Sequence, residues 1–142
     1  MLPQSSDLCY ASVIIVTGGD FVRKILIATT SEAASADLSN ALSQYEVHIC
    51  NTGAEALAAL ETLQPDILIL DLMLPIIDGL TVLQRSGFRT PIILARTPII
   101  SENILHRAAS LGVQDIVLIP CTTRHILIRL EALMEKAPSP EA

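Results

Sequence analysis

Residues 67–80 read ILILDLMLPIIDGL, and this stretch decides the fold. Ile67 to Leu70 is apolar at every position, the pattern of a strand covered on both faces rather than one with a wet side. The run ends on a carboxylate, Asp71. A strand terminus is a rigid mount for a reactive side chain, and Pro75 and Gly79 fix the turn that follows it. A lone aspartate after a strand is commonly a turn residue or helix cap, so the weight lies on Asp71, Pro75, Asp78 and Gly79 standing together at this spacing.

Outward from this stretch, short aliphatic runs alternate with segments of helical period, the signature of a parallel sheet with helices on both faces. The predicted strands are Lys24 to Thr29, Glu46 to Cys50, Ile67 to Leu70, Pro91 to Ala95 and Asp115 to Ile119. The predicted helices are Glu32 to Ser43, Ala54 to Leu63, Gly79 to Arg85, Glu102 to Leu111 and Thr123 to Lys136. Thr52 is placed to cap the second helix, Ser101 the fourth and Thr122 or Thr123 the fifth, while Gln64 and Pro65 stop the second. Right-handed crossovers bring the strand ends to one edge, where ligands bind in such sheets. Function is therefore expected in the loops after Thr29, Leu70, Ala95 and Ile119. The expected class is α/β, a doubly wound five-stranded parallel sheet.

The 142 residues suit one domain, expected over residues 22–136. Residues 137–142, APSPEA, have linker composition. Residues 1–21 fall outside the repeat. Ala11 to Val16 reads as a strand leading into Thr17-Gly18-Gly19, but neither a GxGxxG spacing nor a GK[ST] ending follows, so a phosphate-binding turn is not expected. Gly18-Gly19-Asp20 can be encoded by GGAGGTGAT, similar to a bacterial ribosome-binding site, with Val22 as a GTG start. Residues 1–21 are thus expected either to lie upstream of the true start or, if native, to add an edge strand or lie against the surface.

Apolar residues make up 51% of the chain, yet no uncharged run reaches the roughly 18 to 20 residues needed to span a bilayer. A soluble cytoplasmic protein away from membranes is expected. The net charge of −6 and the pI near 4.9 argue against direct nucleic-acid binding, which needs clustered Lys and Arg. Cys9, Cys50 and Cys121 form no CxxC pair, and His48, His106 and His125 lack metal-ligand spacing, so neither disulfide framework nor zinc site is expected.

The stretch Asp71-Leu72-Met73-Leu74-Pro75-Ile76-Ile77-Asp78-Gly79-Leu80 resembles the receiver domains of two-component response regulators, of flavodoxin-like fold, over Arg23 to about Lys136. The resemblance implies that Asp71 is a phosphoacceptor, served by a histidine kinase in phosphorelay signalling, and that the chain is not an enzyme. It also implies two acidic residues after the first strand, a Thr or Ser after the fourth, and an aromatic residue and a Lys-Pro pair on the fifth. Here those positions hold Thr29 and Thr30, Arg96, Ile116, and Ile119 before Pro120.

Phosphoryl transfer gathers negative charge that a divalent cation and nearby donors must stabilise. Replacing two carboxylates by Thr29 and Thr30 weakens magnesium binding, leaving Asp71 and the Met73 backbone as ligands, with Glu32 as a candidate rescue ligand. Any magnesium is expected to be weakly held. The only lysines, Lys24 and Lys136, lie far from the site. A one-residue shift would bring Thr97 in place of Arg96. Arg96 itself either turns to solvent, the commoner fate of an arginine, or pairs with Asp71 and holds permanently a contact that phosphorylation makes transiently.

These four departures favour a degenerate receiver acting through protein contacts. The alternative is a working phosphoacceptor switch, and a more remote one is a flavodoxin-like nucleotide or anion binder using the hydroxyls of Thr29, Thr30 and Ser31. The resemblance places a homodimer or partner face on the fourth helix, fifth strand and fifth helix, with Ile100, Ile104, Ile126, Leu130 and Leu133 in those segments. Ile126, Leu130 and Leu133 fit a core stripe; Ile99 and Ile100 fit a partner patch.

Overall fold

The computed structural model describes residues 23–136; the expectations placed on residues 1–21, on Val22 as a start and on residues 137–142 lie outside the described residues. Five strands alternate with five helices: β1 (Lys24–Ala28), α1 (Glu32–Ala41), β2 (Glu46–Cys50), α2 (Gly53–Leu63), β3 (Ile67–Asp71), α3 (Gly79–Arg85), β4 (Ile92–Thr97), α4 (Glu102–Ser110), β5 (Asp115–Leu118) and α5 (Thr123–Lys136). All neighbouring strands are parallel, in the order β2-β1-β3-β4-β5. The doubly wound, flavodoxin-like expectation is met.

Side chains alternate across a strand, so each strand feeds two cores. Ile25, Ile27, Ile67, Ile69, Ile92, Leu94 and Val117 pack beneath α1 and α5 with Leu38, Ile126 and Leu130. Leu26, Ala28, Leu68, Leu70, Ile93 and Ala95 pack on the other face with Ala56, Leu60, Leu80 and Ala108. Every residue of β1 after Lys24, and all of β3 and β4, is buried, whereas the edge strand β2 is largely exposed. Burying an aliphatic side chain stabilises by about 1.5–3 kcal/mol, so these central strands anchor the sheet.

Helix starts are fixed by side-chain caps, each accepting a backbone N–H that the helix leaves unpaired. Ser31, Thr52, Asp78 and Ser101 cap α1 to α4, and Thr122 Oγ1 accepts from His125 N at 3.1 Å at the start of α5. Of the two threonines proposed for that last role, Thr122 fills it. The second helix ends where Gln64 turns left-handed at φ 50°, just before Pro65.

The largest departure from the sequence reading is at β4. Its predicted end was Ala95, but the strand continues through Arg96 and Thr97, both buried. Register explains this: Asp71 pairs with Arg96 across the β3–β4 ladder and Leu72 N donates to Arg96 O at 2.8 Å, so the two strands run on together past their apolar segments.

Candidate functional site

The side-chain alternation that builds the two cores also assembles the site. Thr29 follows Ile25 and Ile27, Asp71 follows Ile67 and Ile69, and Arg96 follows Ile92 and Leu94, so all three project toward the α1 and α5 side. Thr29 Oγ1 donates to Asp71 Oδ2 at 2.7 Å. Arg96 Nη1 donates to Asp71 Oδ1 at 2.6 Å and to Thr29 Oγ1 at 3.0 Å. The Thr29 hydroxyl also accepts from Ser31 N at 3.1 Å.

Arg96 is 6% exposed and Asp71 8%. The expectation that the guanidinium would turn to solvent is corrected: a buried carboxylate one strand away at the same level offers it a partner that solvent exposure would forgo. Burial raises the Asp71 carboxyl above its ordinary pKa, opposed by the Thr29 hydrogen bond and by the charge and hydrogen bond of Arg96. Both carboxylate oxygens are engaged.

Thr97 does not take the place of Arg96. Being one residue on, it faces the opposite side of the sheet, and its hydroxyl closes a turn, donating to Ile99 O at 2.9 Å. Thr30 is exposed and borders a different cleft with Leu72 and Thr97. Ile116 is half-buried against the core under α2, α3 and α4. The Ile119–Pro120 bond is cis. Ile119 brings no charge to the site.

The loop after Asp71 is shaped by the residues expected to shape it. Asp78 Oδ1 accepts from Thr81 N at 2.9 Å, capping α3. Gly79 N donates to Leu72 O at 2.9 Å, and a Cβ on Gly79 would stand 2.6 Å from Asp71 O, so only glycine allows this approach. Pro75 O accepts from Gly53 N at 3.1 Å, tying the loop to the start of α2. Gly53 was not singled out from the sequence; it is the other glycine without room for a Cβ, which would meet the carbonyl of Ile77.

The donors around Asp71 are poor in the hard anionic oxygens that magnesium takes. Among the described residues no three His, Cys, Asp or Glu gather into a group that could hold a metal. Glu32 is exposed in the first turn of α1. The cation at Asp71 Oδ1 is a guanidinium supplied by the chain itself.

A family model described as the response regulator receiver domain matches residues 25–131. The chain belongs to this receiver family. It is 31% identical over 126 residues to the response regulator MprA of Mycobacterium leprae, covering 84% of this chain and 54% of that protein. It is 29% identical over 127 residues to the transcriptional regulatory protein TrcR of Mycobacterium tuberculosis, covering 84% and 48%. The chain thus spans about half the length of these relatives. In fold it resembles the non-phosphorylated HemR receiver domain of Leptospira biflexa, with a TM-score of 0.73 at 24% identity, covering 82% of this chain and 98% of that one. It is also similar to the Vibrio cholerae chemotaxis protein CheY4, with a TM-score of 0.70 at 23% identity, covering 80% and 99%.

Receivers are signalling domains of two-component systems, and the family places this chain among them. Among the described residues no helix is long and apolar enough to cross a membrane.

Proposed function

We propose that this chain is a degenerate receiver that signals through protein contacts from a conformation held by its own arginine. The contact of Arg96 Nη1 with Asp71 Oδ1 at 2.6 Å carries this reading. The resemblance implies a hydroxyl after the fourth strand that contacts the phosphoryl group when Asp71 carries one; here the Arg96 guanidinium holds a contact with Asp71 without any transfer. Phosphorylation of Asp71 would require an oxygen to leave Arg96 or Thr29, and the incoming dianion would find neither a lysine at Ile119 nor acidic ligands for a metal at Thr29 and Thr30. The transition-state charge would fall to one already committed guanidinium.

A second reading, a phosphoacceptor switch served by a histidine kinase, is favoured by the retained mount: Asp71 ends β3, and Pro75, Asp78 and Gly79 hold the following loop. Incubating the parent and its Asp71→Asn variant with magnesium and acetyl phosphate, then measuring intact mass, separates the two. The degenerate reading expects no gain in either protein while an ordinary receiver in the same buffer gains one phosphoryl group. A gain by the parent alone would put the switch in its place.

Binding partners under either reading are signalling proteins, a histidine kinase or a second copy of the chain, with no role for direct nucleic-acid contact or membrane. On the proposed face of α4, β5 and α5, Ile126 and Leu130 are used up in the core, while Leu105, Leu118 and Ile128 are exposed, as are Ile99 and Ile100 before α4. Sedimentation of the parent against Leu118→Lys tests that face: a dimer there loses mass in the variant.

A further inference from the structure

A cleft of about 590 Å3 opens on the face of the sheet opposite the Asp71 and Arg96 pair, bordered by Leu72, Met73, Leu80, Thr97, Ile104 and Arg107, among others. Strand parity builds it. Leu72 follows Leu68 and Leu70, and Thr97 follows Ile93 and Ala95, so the residues next to the pair fall on the other face. The function proposed above makes no use of this cleft.

Its floor is apolar and its rim is left uncovered by the chain. Leu72 and Leu80 are 4% and 5% exposed, whereas Met73, from the same loop as Leu72, is 59% exposed. Helix α4 covers this side sparingly: Ala108 is its one buried residue, and Ile104 is only partly buried. An exposed methionine on a rim is apolar surface that a ligand can cover, and its flexible thioether adapts to the shape of what binds.

Arg107 narrows the chemistry of that ligand. It stands three residues after Ile104, on the same side of α4. It is the one cation among the residues bordering the cleft, and its guanidinium has no salt-bridge partner among the described residues. Asp78 is the one anion there, and its Oδ1 is committed to Thr81 N at the start of α3, where the helix polarity offsets its charge. The size points to a small molecule: such sites run from about 300 to 1,000 Å3 and are mostly apolar with a few orienting polar groups. A stable protein interface is far broader, about 800 Å2 on each partner.

We propose that this cleft binds a small amphipathic carboxylic acid, its hydrocarbon part over Leu72, Leu80 and Met73 and its carboxylate on Arg107. Binding needs no chemistry at Asp71, so it stands whether or not that residue accepts phosphate. Leu72 N donates to Arg96 O, so the ligand lies against the reverse side of the two strands that carry the buried pair.

Methyl and amide NMR of the isotope-labelled full chain tests this, with octanoate as the acid, octanol as the same chain without charge, and acetate as the charge without the chain. Saturable shifts at Met73, Leu80 and Ile104 are expected with octanoate, at several-fold higher concentration with octanol, and not with acetate. Arg107 and Met73 are exposed, so substitutions there leave the core untouched. Arg107→Gln is expected to weaken octanoate to the level of octanol while leaving octanol unchanged, and Met73→Gln to weaken both. Absence of saturable shifts with octanoate, equal affinity for octanoate and octanol, or octanoate binding unchanged in Arg107→Gln would each overturn the proposal. Shifts at Met73 and Ile104 that follow protein concentration without any ligand would overturn it in favour of a second copy of the chain seated on this face.

Discussion

Arg96 and Asp71 face each other across the β3–β4 ladder, paired in register and joined by a 2.6 Å hydrogen bond between charged groups beneath the surface. Such a pair is better described by what its halves cost apart than by its net worth, because removing one partner strands a charge in a poorly solvated site. Arg96→Met or Asp71→Leu alone is expected to destabilise by about 3–5 kcal/mol. The double variant, apolar at both positions, is expected to recover most of that loss. Urea unfolding of the four proteins gives the coupling, and simple additivity of the two single losses would mean that the pair is not formed.

The same contact sets the acidity of Asp71. Burial lifts its pKa, and Arg96 and Thr29 pull it down. Removing either, by Arg96→Met or Thr29→Val, is expected to move the carboxyl titration further up, as read by carbon NMR of the Asp71 side chain. The sign for stability follows. A carboxyl whose folded pKa is raised keeps its proton in the native state where the unfolded chain has released it. Its contribution to stability therefore falls as pH rises from the ordinary aspartate range through the folded pKa, and is level above it. Relative to Asp71→Asn, the parent is expected to lose stability across that window; a difference that grows with pH would show a lowered pKa instead.

Much of this was legible in the sequence. The apolar runs at Ile67 to Leu70 and from Pro91 to Ala95 located the central strands, because burial on both faces leaves no room for polar alternation. The caps at Thr52 and Ser101 were readable because hydroxyl side chains satisfy helix N–H groups at fixed spacing. The course of Arg96 was not readable from local composition. Polar residues after an apolar run suggest a loop, and only the register of β4 on β3 brings Arg96 level with Asp71. The parity signal was nonetheless present: Arg96 shares its face with Ile92 and Leu94, as Asp71 does with Ile67 and Ile69, while Thr97 falls on the other side. Gly53 was missed because the surface it meets, the carbonyl of Ile77, comes from a loop distant in sequence.

Ile76 sits in the loop after Asp71 with φ 72°, a left-handed conformation that a β-branched side chain rarely adopts, and it is 79% exposed. Such a conformation costs about 1–3 kcal/mol for a residue other than glycine. Little burial offsets it. Ile76→Gly is expected to stabilise by about 1 kcal/mol after the extra chain entropy of glycine is set against the relieved strain. Thermal unfolding reads the change. A destabilised variant would mean that the isoleucine contributes packing within the loop.

Three of the four departures from receiver chemistry, all but Ile116, can be reversed together by four substitutions, which tests whether those three alone silence Asp71. Thr29→Asp and Thr30→Asp restore hard anionic ligands, Ile119→Lys restores a mobile cation beside the acceptor, and Arg96→Thr frees Asp71 Oδ1 while supplying a hydroxyl at the end of β4. Each change is local to the strand ends, and the mount they act on, from Asp71 to Gly79, is already in place. Arg96→Thr by itself is expected to remain silent, because freeing an oxygen supplies neither metal nor lysine to the transition state. The fourfold variant is expected to bind magnesium and to gain one phosphoryl group from acetyl phosphate, lost again on Asp71→Asn, as measured by intact mass. If it binds magnesium and folds as the parent does yet gains no mass, the barrier lies in the loop geometry rather than in the missing charges, and Ile76 and its left-handed turn become the next residues to change.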